Sequence, residues 1–135
     1  MRRALSIASV VAAGIIGGCQ SGASLPSTGA GGKSASLRVM EQVAIAAHKC
    51  WFASKDEAFR PYRFANELDS HSGNPRFLLV PAKNYGGLPL LVVQARGGSS
   101  QVEAFGPLMQ RPLGARISAD VSRWASGNPS CGTAA

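Results

Sequence analysis

Hydrophobic and polar positions follow several different rhythms along this chain. From Ala4 to Gly18 every residue is uncharged and mostly apolar or small, with no period. Residues 21–36 are nearly all Gly, Ala and Ser. A helical rhythm then begins. Val39, Val43, Ala46, Ala47 and Cys50 recur at helical spacing, with Met40, Ala44 and Trp51 beside them. Arg38, Glu41, Gln42, Ile45 and Lys49 fall opposite. The spacing predicts an amphipathic helix over 37–52, with Ser36 as its N-cap and Cys50, Trp51 and Phe52 buried in its last turn.

A polar connection over 53–61 follows, in which Phe59 is expected to turn back onto the core. Tyr62, Phe64 and Asn66 alternate with Arg63, Ala65 and Glu67, the period of a half-buried strand. Asp69 to Pro75 is dense in turn formers. Arg76 to Val80 and Gln101 to Phe105 read as further strands. Leu90 to Ala95 is apolar on both faces, so it belongs at the centre of a sheet. Gly97-Gly98-Ser99-Ser100 supplies a hairpin turn. Pro112 then suits the first turn of a second helix, whose Leu113, Ile117, Val121 and Trp124 form one stripe. Gly127 and Pro129 end it. The expectation is an α+β domain: helix, three or four antiparallel strands, helix, with both helices on one face of the sheet.

The apolar start is only 15 residues long, and a spanning helix needs about 20. Arg2 and Arg3 precede it, and Ile16-Gly17-Gly18-Cys19 closes it. This order of basic, apolar and small-residue regions is that of an export signal. An aliphatic residue, two small residues and a cysteine resemble the lipobox of bacterial lipoproteins. The resemblance covers this segment alone. It implies cleavage between Gly18 and Cys19 and a diacylglyceryl group on the Cys19 thiol, often with an acylated amine, which together give lasting membrane attachment. Gln20 stands where aspartate is associated with inner-membrane retention, so the resemblance points to the outer membrane, with the domain in the periplasm or at the cell surface. The expected organisation is a signal peptide over 1–18, a lipidated, flexible tether over 19–35, and one small domain over 36–135.

Charge and cysteines refine this picture. The chain has 14 Lys+Arg and 7 Asp+Glu, a formal +7 that falls to +5 once Arg2 and Arg3 are removed. The basic residues are scattered, which favours anionic neighbours in general, and no motif supports nucleic-acid binding. With Cys19 lipidated, Cys50 and Cys131 are left, and an exported domain of this size commonly gains a disulfide. We pair them. Two free thiols would go with a chain that stays in the cytosol.

No constellation of catalytic residues stands out. Ser27 to Ser34 imitates a P-loop, but Ser27 occupies the place of the first glycine that lets backbone amides wrap phosphate. His48 and Cys50, with His71, fall short of a zinc set, because two residues two apart on a helix point to different faces. Neither a metal nor a cofactor is expected. Asp56 with Glu57, and Glu67 with Asp69, read as solvated surface charge. Arg60-Pro61-Tyr62-Arg63-Phe64 interleaves basic and aromatic residues, so Arg60, Tyr62 and Arg63 are the candidate partner surface. The bland alternative there is a strand with aromatics inward and arginines outward. The expectation is therefore a non-enzymatic, membrane-anchored envelope module whose partner is an envelope protein or peptidoglycan. The alternatives are a small periplasmic hydrolase or ligand-binding module using Arg63, Glu67 and His71, or an inhibitor of envelope enzymes.

Overall fold

A computed structural model describes residues 33–70 and 73–132. The first helix, α1, spans Ala35–Ala47. Its N-cap is Ser34, whose hydroxyl accepts from the Leu37 amide at 3.2 Å, and not Ser36. Ser36 is instead buried inside the first turn, its hydroxyl 3.0 Å from that of Ser34. Lys33 pairs with Glu41 over this start. Residues 33–35, assigned to the tether by composition, therefore belong to the domain.

At its other end α1 runs into a π-helical turn, His48–Ala53. Its wider spacing shows in the Ser54 amide, which bonds the Lys49 carbonyl five residues back at 3.1 Å. Cys50 and Trp51 are buried and Phe52 half-buried, and all three pack on the core. A short 3-10 turn, Glu57–Phe59, returns Phe59 to full burial.

Four strands follow: β1, Tyr62–Glu67; β2, Arg76–Pro81; β3, Leu91–Ala95; and β4, Val102–Phe105. They form one antiparallel sheet in the order β1-β2-β3-β4. β3 is thus an inner strand, as its two apolar faces predict. A second 3-10 turn, Pro107–Gln110, leads into α2, Leu113–Ala125. Gly114 lies so close to that turn that a Cβ would sit 2.3 Å from the Met109 carbonyl oxygen, which only glycine avoids.

Alternation sorts the sheet into two faces. Phe77, Leu79, Leu91, Val93 and Ala95 join Val39, Met40 and Val43 of α1 and Ile117, Val121 and Trp124 of α2 in one core. Both helices therefore lie on one face. On the other face, Ala65, Leu78, Val92 and Phe105 stand side by side across all four strands. A polar row flanks them, where Arg76 bonds Glu67 and Gln94 bonds Glu103.

Cys50 and Cys131 form a disulfide across a sequence separation of 81. The C-terminal segment is docked further by the Ser130 carbonyl, which accepts from Arg123 Nε and Trp124 Nε1 at 2.9 Å each. Closing so long a loop restricts the unfolded chain by roughly 4 kcal/mol in the chain-entropy account. Replacing both cysteines (Cys50→Ala with Cys131→Ala) is expected to lower the unfolding free energy by about 4 kcal/mol in chemical denaturation. A change below about 1 kcal/mol would show that the bond constrains little beyond what the fold already holds.

Candidate functional site

The π turn, the 57–59 turn and the start of β1 meet in an open cleft of about 750 Å³. Its floor is aromatic. Trp51 stacks on Phe59 with ring centroids 4.5 Å apart, and Phe52 meets Phe64 edge to face at 5.9 Å. His48 adds its ring edge to Phe64 at 5.8 Å. The lining is charged as well, with Lys55, Arg60 and Arg63 beside Asp56 and Glu57. Lys55 sits in the left-handed region at φ 58, where the chain reverses after the π turn.

The sequence candidates Arg60, Tyr62 and Arg63 are brought together in this cleft. Tyr62 and Phe64 are half-buried on the helix side of β1, and Arg63 is exposed on the other. The inward-aromatic, outward-arginine pattern therefore holds, and the cleft wraps around the strand. The Arg63 guanidinium lies 4.7 Å from the ring centre of Tyr85. That stacking was not legible in the sequence, because Tyr85 comes from the 82–90 loop and shares no spacing with β1. Arg60 pairs with Glu57, with both side chains largely in solvent, so this pair contributes little. Among the described residues neither Lys55 nor Arg63 has a carboxylate partner. The rim keeps positive charge to offer an anionic group.

Asp56 is not the solvated carboxylate that its neighbours suggest. It pairs with Arg116 of α2, and its Oδ1 accepts from the Ala58 amide at 3.0 Å, capping the 57–59 turn. Arg116 also lies over Phe59 at 5.3 Å and stands 3.6 Å from Asp120. Asp120 is buried, bonded to Trp51 Nε1 at 2.8 Å and to Arg123. Sequence reasoning missed this network, although an aspartate on the apolar stripe of α2 is the visible sign of it.

A second groove, of about 690 Å³, opens between α1 and β1, lined by Ala44, Ile45, His48, Phe64 and Leu68 among others. It meets the first at His48 and Phe64. Together they follow β1 along the side not paired with β2.

Arg63 and Glu67 line separate clefts, and His71 lies outside the described residues, as do Gly18 and Cys19. Of the three residues named for a hydrolase or ligand-binding site, the two that are described thus line different clefts. Cys50 is held in its disulfide and cannot serve as ligand or nucleophile. Among the described residues no three of His, Cys, Asp and Glu are grouped to hold a metal ion, and no helix is long and apolar enough to cross a membrane. No known protein family, curated protein or solved structure matches this chain.

The cleft has one titration consequence. The Arg116 guanidinium, helped by the Ala58 amide, holds the Asp56 carboxyl below its ordinary value against the opposing effect of burial. A carboxyl lowered in the folded state stabilises the fold above its unfolded pKa, and that contribution is lost as pH falls through the folded value. Asp56→Asn is expected to cost about 2 kcal/mol at about pH 6, the scale of a hydrogen bond to a charged group. The gap between wild type and variant should close by about pH 2, read from denaturation at a series of pH values. A gap independent of pH would assign the cost to packing.

Proposed function

We propose that this chain is an envelope lipoprotein, anchored through Cys19, whose domain acts as a non-enzymatic interaction module. The anchor is inferred from the lipobox-like Ile16-Gly17-Gly18-Cys19, and an outer-membrane destination from Gln20. The observation that carries the interaction reading is the cleft along β1. It combines an aromatic floor with Lys55 and Arg63, which no carboxylate of the described domain neutralises. Cations left without partners beside aromatic rings suit contact with an anionic, partly apolar surface. A low-complexity tether gives such a domain reach, and an anchor raises its concentration near partners in the same membrane. The partner class is an envelope protein or the peptidoglycan layer, whose peptide stems carry carboxylates.

The test is capture from crosslinked envelopes after detergent solubilisation, read by mass spectrometry. The wild-type chain is expected to return a partner that both Cys19→Ala and Arg63→Glu lose. Capture that survives Arg63→Glu would move the contact away from the cleft. A wild-type chain that is neither lipidated nor in the envelope fraction would remove the anchoring reading.

A further inference from the structure

β1 ends the sheet, and among the described residues no strand lies along its other side. The Ala82 amide bonds the Pro61 carbonyl at 2.8 Å, which fixes the alternation of the β1–β2 ladder. Residues 61, 63, 65 and 67 turn their backbone groups to β2. Tyr62, Phe64 and Asn66 turn theirs outward, available to another strand.

Charge then selects the occupant. The strand is basic where it begins, at Arg60 and Arg63, and acidic where it ends, at Glu67 and Asp69. An antiparallel copy reverses that order. A two-fold axis through Ala65 sets Arg63 opposite Glu67 of the second copy, twice over, on the outer face of the sheet. In the same register Phe64 and Asn66 become hydrogen-bonding partners across the axis. Ala65 meets its own counterpart at a non-hydrogen-bonded pair, where side chains lie closest. Its methyl group is small enough to sit there. Beyond Asn66 the ladder stops, because the Leu68 amide is already taken by the Asn66 side chain at 2.9 Å. The opposite edge offers no such match: β4 carries a single charge, Glu103, so a two-fold copy cannot set opposite charges face to face along it. Glu67 also keeps a partner within its own sheet, Arg76.

We propose that β1 pairs antiparallel with β1 of a second copy of this chain, joining two four-stranded sheets into one of eight. The proposal rests on reading this edge as the contact surface of the domain, and it names the first partner. An axis normal to the sheet keeps both helix layers on the same side. Lys33, which borders the α1–β1 groove at the start of α1, then lies on that side in both copies. That arrangement is compatible with two molecules anchored in one membrane. The interface is small, so association is weak in dilute solution and depends on the concentration that anchoring supplies.

The full chain carrying Ala65→Cys is the test, with Ser118→Cys on the exposed side of α2 as control. A non-hydrogen-bonded antiparallel pair brings the two Cα atoms to about 4.5 Å, within disulfide reach. Non-reducing electrophoresis of envelope fractions should show at least about tenfold more covalent dimer for Ala65→Cys than for the control. Adding Arg63→Glu, or separately Glu67→Lys, should lower that yield by about tenfold, since each sets like charges face to face. Co-expressing the two reversed chains should restore it, because both pairs across the axis are then opposite in sign. Should Glu67→Lys disturb its pair with Arg76, Ala65→Cys with and without Arg63→Glu still decides. Dimer no greater than the control, or dimer indifferent to Arg63→Glu, overturns the proposal. Capture of another envelope component that depends on Arg63, without crosslinking at residue 65, would leave the contact surface standing and refute self-pairing alone.

Discussion

The hydrogen bond from Trp51 Nε1 to the buried Asp120 carboxylate, 2.8 Å long, ties the first helical segment to the last. A carboxylate at this depth is tolerable only with donors around it. Here Trp51, Arg123 and, at longer range, Arg116 surround it, and no described side-chain polar atom is buried without a partner. Removing one donor from such a site costs about 1–3 kcal/mol, because the group it leaves behind stays dry. The indole that makes this bond is also the centre of the aromatic core. It stacks on Phe59, tilts against Trp124 at 5.0 Å and meets the edge of Phe77 at 6.3 Å. From Asp120 the same network passes through Arg116 to Asp56, which caps the turn that seats Phe59 and starts the chain toward β1. The aromatic floor of the cleft therefore depends on an ion network that runs from the buried Asp120 to Asp56 at the cleft's own lining.

Much of the scaffold was legible because burial on one side leaves a period. The stripe of α2 is visible in Leu113, Ile117, Val121 and Trp124, and the four strands in their alternation or continuous apolar runs. The disulfide partners were legible by count, given the lipobox-like Cys19. What escaped has no period to show. Asp56 and Arg116 are 60 residues apart and Trp51 and Asp120 are 69 apart, so their pairing is written only in three dimensions. The π turn is similar: residues 48–53 continue a helical pattern in sequence, and the wider i to i+5 spacing leaves no separate mark there. Ser34 and Ser36 are both competent caps by type, and only burial of the second decides between them. Of the residues lining the cleft, Arg60, Tyr62 and Arg63 were singled out by their interleaving. Tyr85 and Lys55 were not, because a loop tip and a reversed backbone bring them in.

The two faces of the sheet are used differently. One is covered by helices and carries nearly all the core. The other bears the apolar row Ala65, Leu78, Val92 and Phe105, of which Leu78 is buried simply by lying between neighbours on both sides. Chemistry of interest concentrates where these faces meet, at the β1 edge. There, aromatic side chains from the covered face and a cation from the open face reach the same cleft. An edge strand is a hazard when flat and apolar. Placing Arg63 and Glu67 on it limits which strands can approach.

The disulfide also sets how the molecule would answer mechanical tension. A chain held at its start and pulled at its end transmits force along the covalent path. That path runs through α1 to Cys50, crosses to Cys131, and leaves by the C-terminus. Residues 51–130, which include the whole sheet and α2, form a closed loop beside it and bear none of the load directly. Stretching would unwind α1 ahead of the bond while the sheet, the cleft and the β1 edge stayed slack and folded.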